Sequence, residues 1–104
     1  MAARVTPSVR GNLRMLFFVV ENFRNGDAVP VYRRFRERGR LAPPGVNYVS
    51  SWVTPDLRRC FQVMECDSRA SLDAWIARWS DLVEFEVTPV ITSQDALTAV
   101  TPRL

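Results

Sequence analysis

MLFFVVE, Met15–Glu21, is the stretch on which the reading of this chain turns. It is a continuous apolar run, too short to span a membrane and too short for most signal peptides. Such a run fits a strand buried on both faces. Its two sides therefore both need a cover, and the rest of the chain must supply it.

Working outward, Asn25-Gly26-Asp27 is turn chemistry. Asp27 can cap a helix over Ala28–Arg38, with Pro30 tolerable in the first turn and Val31, Tyr32 and Phe35 as the apolar stripe. Gly39 suits the helix end and Pro43-Pro44-Gly45 is a firm break. Val46–Val53 and Arg58–Cys66 read as strands. They are joined by Thr54-Pro55-Asp56-Leu57, where proline second and aspartate third suit a type I turn. Asp67-Ser68 caps a second helix whose stripe is Leu72, Trp75, Ile76 and Trp79, at helical spacing throughout. Leu82–Ile91 is the last strand. Residues 1–14 show no period and carry Pro7 and Gly11, so they read as a disordered N-terminal extension, with Met15 an alternative start. Residues 94–104 read as an irregular tail.

The order over 15–93 is strand, helix, strand, strand, helix, strand. That order predicts an α+β, ferredoxin-like βαββαβ sandwich: a four-stranded antiparallel sheet with two helices on one face. The first and third strands take the centre, the fourth lies beside the first, and the second beside the third.

At 104 residues the chain is one domain, and its core is modest. All 14 basic residues are arginine, and there is no histidine. We attribute the missing lysine to codon usage. The missing histidine removes the usual general base, the usual proton switch and the commonest metal ligand. Arg4, Arg10 and Arg14 carry the excess charge; from Met15 onward 11 arginines meet 11 acids. The basic balance thus belongs to the extension and implies no nucleic-acid partner. Cys60 and Cys66 are six residues apart, roughly 20 Å along one strand. A disulfide needs Cα atoms within about 7 Å, so they read as buried thiols in a reducing, cytoplasmic setting. No cofactor, metal or membrane partner is implied.

Alternation sorts each strand into two sets. Phe61 and Val63 oppose Cys60, Gln62, Met64 and Cys66. Val83, Phe85 and Val87 oppose Glu84, Glu86 and Thr88. Placing the more apolar sets under the helices leaves a mixed second face. The first strand, apolar on both sides, makes that face costly to leave in water. The expectation is a homodimer that pairs these faces into a barrel with a polar interior, and Met64→Asp is expected to disrupt assembly.

The segments ENFRNGDAVPVYRRF, GRLAPPGVNYVSSWV, LRRCFQVMECDS and LDAWIARWSDLVEFEVTPVITS resemble the bacterial domain of unknown function 3303. The resemblance runs from about Met15 to Ser93. It implies a dimeric α/β barrel of ferredoxin-like type and no established reaction.

Within that barrel, Gln62 and Glu86 are expected to face one cavity, where a desolvated carboxylate acts as acid or base. Tyr48 and Trp52, four residues apart on one strand, are expected to share a face, walling a flat pocket with Met64 or packing in the dimer interface. Glu21 is the second catalytic candidate; pairing with Arg24 or Arg59 is its simpler use. Arg33, Arg34, Arg36, Arg38 and Arg40 form a basic run that could bind phosphate, but the acid-rich region from Glu65 to Asp95 is the better match. Cys60 beside Arg59 could be a reactive thiol; burial is commoner. Three functions remain open: a homodimer binding a small metabolite, a cofactor-free enzyme of monooxygenase or isomerase type, and a structural module.

Overall fold

The computed structural model describes residues 14–104; residues 1–13 of the extension lie outside the described residues. The elements are β1 (Met15–Phe23), α1 (Val29–Arg38), β2 (Val46–Val53), β3 (Arg59–Cys66), α2 (Arg69–Ala77), β4 (Val83–Val90) and α3 (Ser93–Val100). The strands form one antiparallel sheet in the order β2-β3-β1-β4. This is the ferredoxin-like α+β arrangement, with β1 and β3 central. No helix among the described residues is long and apolar enough to cross a membrane.

Local chemistry accounts for the boundaries. Asp27 Oδ1 accepts from Val29 N at 3.0 Å and so starts α1. Ser68 Oγ accepts from Ser71 N at 3.1 Å and caps α2. In the β2–β3 turn Leu57 N donates to Thr54 O at 2.8 Å. Thr54 Oγ1 donates to Asp56 at 2.7 Å, tying the turn from inside. The C-terminal residues correct the expectation of an irregular tail. Thr92 Oγ1 accepts from Asp95 N at 3.0 Å, an N-cap that opens α3, and a 3-10 turn follows over Thr101–Arg103. Every residue from 91 to 104 is exposed, including the apolar Ile91, Leu97, Val100 and Leu104.

The helix-covered face of the sheet carries Phe17, Val19, Glu21 and Phe23 from β1 and Cys60, Gln62, Met64 and Cys66 from β3. Val83, Phe85 and Val87 of β4 join them, and Val31, Leu72, Trp75 and Trp79 close the core from above. The open face carries Leu16, Phe18 and Val20, all half-buried, with Phe61 and Val63 of β3 and Glu84, Glu86 and Thr88 of β4. Phe18 and Phe61 stack there, centroids 6.1 Å apart and 14° from parallel.

The β3 assignment made from alternation is therefore inverted. Two cysteines and a methionine are good core residues, since thiols and thioethers behave as apolar groups. The single polar member, Gln62, is satisfied by partners described below. Cys60 and Cys66 are free and buried on this strand.

The inversion changes what Met64 reports. Its side chain is fully buried between sheet and helices, away from the open face. Met64→Asp is expected to abolish folding at any protein concentration, because an unpaired charge would lie in the core. A urea melt that leaves a cooperative transition near the parent midpoint would refute this face assignment.

Candidate functional site

A cavity of about 200 Å³ opens between the helix-covered face and α1. Its walls are Phe23, Val31, Tyr32, Phe35, Trp75 and Trp79, with Val53 and Cys60 beneath. Into this aromatic enclosure the chain places three strongly polar side chains: Glu21, Gln62 and Arg40.

They form a line. Gln62 Nε2 donates to Glu21 Oε2, and Gln62 Oε1 accepts from Arg40 Nη1 at 2.6 Å. The register fixes the first contact. Glu21 pairs with Cys60 and Val19 with Gln62, so carboxyl and amide are diagonal neighbours on one face of adjacent strands. Each end of the amide has a partner, which is why a glutamine can lie 2% exposed at the centre of the sheet.

Arg40 arrives by a different route. Gly39 ends α1 at φ 72° and ψ −162°, a backbone conformation open essentially to glycine alone, and its N donates to Phe35 O at 2.8 Å. The chain then reverses over the sheet. Trp75 Nε1 and Trp79 Nε1 both donate to Arg40 O, at 3.1 and 2.8 Å. Two indoles of α2 thus anchor the backbone of the arginine. Its guanidinium lies 3.8 Å from the Tyr48 ring centroid and 5.3 Å from that of Phe35, in cation–π range of both.

Burial pushes the Glu21 carboxyl up from the ordinary carboxylate range to about 7; the Arg40 charge and the Gln62 amide offset part of the rise. Burial also pushes the Cys60 thiol up to about 12, with the Glu21 charge adding to it. Cys60 is a core thiol, not a reactive one. Tyr32 rises as well, through burial first and then the neighbouring Cys60 and Glu21.

The other site residues expected from the sequence disperse. Gln62 and Glu86 do not share a cavity. Val19 faces Gln62 and Val87, whereas Val20 faces Phe61 and Glu86, so the two lie on opposite faces. Glu86 is exposed and accepts from Asn22 Nδ2 at 2.9 Å. Tyr48 and Trp52 do not share a face either. A register shift between Tyr48 and Ser50 inserts one extra residue, a β-bulge, which leaves Tyr48 opposite Met64 and Trp52 opposite Phe61. Tyr48 therefore reaches Arg40 on the helix side and Trp52 stands on the open face. Met64 lies in the core and does not line the cavity.

Glu21 pairs with neither Arg24 nor Arg59. Arg24 donates to Ser80 O and approaches Glu84, and Arg59 covers Phe61. Within the basic run, Arg34 binds Asp81 through two hydrogen bonds of 2.8 and 2.6 Å, the expected match to the acid-rich region. Arg40 is the site residue that sequence reasoning missed. It looks like one more member of that run, and the only signal separating it is its place just after Gly39.

Comparison with known proteins identifies the family. The family profile "Domain of unknown function (DUF3303)" matches residues 15–104. The chain belongs to this family. No curated protein matches it. Among solved structures, the DUF3303 chain is similar to a NIPSNAP family protein of unknown function from Agrobacterium tumefaciens. The identity is 16% and the TM-score 0.48, covering 78% of this chain and 89% of that one.

The buried carboxyl gives the DUF3303 chain a pH signature. Glu21 holds its proton more tightly folded than unfolded, so its contribution is fully present below about pH 4.5 and is lost as pH rises through about 7. With no histidine in the chain, little else titrates in that window. Urea melts should show stability falling between pH 5 and pH 8, by on the order of 3 kcal/mol at 1.36 kcal/mol per pKa unit. The Glu21→Gln variant should be nearly flat over the same range. An equal slope in both proteins would remove Glu21 as its source.

Proposed function

We propose that the protein is a homodimer in which each subunit binds one small metabolite in the Glu21–Gln62–Arg40 cavity. The observation that carries the binding reading is the placement of a hydrogen-bonded carboxyl, amide and guanidinium inside an aromatic-walled cavity. A core built only for stability has little use for three polar side chains there, since their desolvation is costly. An apolar pocket with a few convergent polar groups is the usual form of a small-molecule site.

The homodimer reading rests on the open face. Successive rows across the sheet run Arg59–Asn22–Glu84 and Trp52–Phe61–Val20–Glu86, basic or aromatic at one side and acidic at the other. A two-fold axis along the strands sets one copy's Glu84 and Glu86 toward the other's Arg59 and covers Phe18, Phe61 and Trp52 together. A second copy therefore complements this face in both charge and apolar surface.

Native mass spectrometry of protein purified from its own host tests both parts. The expected result is a dimer at micromolar concentration carrying a small adduct on each subunit. Trp52→Asp and Phe18→Asp should each give a monomer that keeps the adduct, because the cavity lies within one subunit. A wild-type monomer without adduct would overturn the proposal.

One observation favours a second reading, a cofactor-free enzyme. A carboxyl poised near pH 7 in an aromatic-walled cavity suits proton transfer to or from a bound molecule. Under this reading the host-derived ligand exchanges a carbon-bound proton with D2O in the presence of the protein, as followed by NMR. Glu21→Gln should abolish exchange while retaining binding; exchange that persists in the variant would exclude Glu21 from the step.

A further inference from the structure

We propose that the cavity selects small monoanions, a carboxylate carried on a single planar apolar ring, with Arg40 as the residue that holds the carboxylate. The inference rests on the binding reading above and adds the chemical class of the ligand.

Three observations lead to it. The first is the state of Arg40. Among the described residues its guanidinium donates one hydrogen bond, to the neutral Gln62 amide, and forms no ion pair. Arg34, by contrast, is saturated by Asp81. Arginine offers five donors in a planar fork that matches a carboxylate, so most of the Arg40 capacity is unspent.

The second observation is how firmly the arginine is held. Gly39 turns the chain, Trp75 and Trp79 bind the Arg40 carbonyl, and Tyr48 and Phe35 flank the guanidinium. A surface cation does not need such support. A recognition group does, because the cost of ordering it is then met before the ligand arrives.

The third observation is the shape and lining. Cavities of about 150 Å³ accept benzene. At about 200 Å³, walled by Phe23, Tyr32, Phe35, Trp75 and Trp79, this one has room for a single ring with a short polar substituent. The guanidinium on its wall disfavours a cationic substituent.

Glu21 then makes binding pH-dependent. The groups that face it are Tyr32 from α1, Cys60 and Gln62 from β3 and Arg40 from the turn after α1. β4 brings Phe85 opposite it, and α2 brings Trp75 and Trp79 to the same cavity, none of them titratable. Tyr32 and Cys60 stay neutral from pH 6 to 8. Glu21 alone changes charge in this range. When it is protonated, the charge of Arg40 is uncompensated and attracts an anion; when ionised, it competes with the ligand.

Three probes of similar size decide the matter: benzoate, its isostere benzamide and the cationic benzylammonium, each titrated at millimolar concentration against the full chain, with the indole N–H signals of Trp75 and Trp79 followed by NMR. Benzoate is expected to bind at least tenfold more tightly than benzamide at pH 6, and benzylammonium not to shift the indoles. Benzoate affinity should fall several-fold from pH 6 to pH 8 in the wild type and stay level in Glu21→Gln. Arg40→Gln should erase the preference for benzoate over benzamide while benzamide still binds. Benzamide or benzylammonium binding as tightly as benzoate in the wild type would overturn the carboxylate assignment and leave the binding cavity standing. Failure of all three to shift the indoles would overturn both. The wild-type comparison holds even if Arg40→Gln fails to fold.

Discussion

The structure depends on one constraint: a carboxyl group on the central strand is buried under the helices. Glu21 sits on the same face as Phe17, Val19 and Phe23, a position whose strand neighbours on that face are all apolar. Its presence there imposes a chain of compensations. Gln62 must be on β3 one residue pair away, and its second amide end needs a donor. Arg40 supplies that donor, and reaching the sheet requires Gly39 to reverse the chain. The two tryptophans of α2 then serve the core with their rings and the Arg40 carbonyl with their N–H groups. Four segments are tied to one ionisable group. Natural cores carry such groups sparingly, because an unpaired member costs far more than a complete set returns.

The same constraint divides the sheet into two unlike faces. The helix face mixes aromatic walls with a polar line, while the open face is a band of Leu16, Phe18, Val20, Phe61 and Val63 edged by charge. The bulge in β2 serves this division. By shifting the alternation between Tyr48 and Ser50, it sends Tyr48 to the guanidinium on one side and Trp52 to the apolar band on the other. A regular strand would send both to one face, and either Arg40 or the open-face row of Phe61 would lose one of its aromatic side chains.

Much of this was legible in the sequence, and the exceptions have physical causes. The element order, the tight turn at Pro55-Asp56, the Ser68 cap and the Leu72–Trp79 stripe depend on local rules and emerged directly. The sheet order followed from them. The face of β3 did not, because alternation says only which residues travel together. Choosing between the sets required a judgement that cysteine counts as apolar and that a glutamine can find two partners in the core. The bulge has no local signature: Tyr48-Val49-Ser50-Ser51 reads as a regular strand until the register is known. Arg40 was hidden by its neighbours, four other arginines that point elsewhere. The α3 helix was missed although its cap, Thr92 with Asp95, lay in plain view; it is only eight residues long, and its apolar Leu97 and Val100 stay exposed.

Three of these exceptions share a direction. The face of β3, the β2 bulge and the role of Arg40 are each set by partners distant in sequence. The residues that were legible are those whose role is complete within their own element. Ser68 caps α2 with a contact three residues away; Arg40 gains meaning only from Gln62, Tyr48, Trp75 and Trp79, at separations from 8 to 39 residues. A stable sandwich needs few such dependencies, since burying apolar area is not directional. Their concentration around one cavity separates a site from a core. On that criterion Glu86, exposed and hydrogen-bonded to Asn22, is a surface carboxylate, and Glu21 is the residue around which the domain is built.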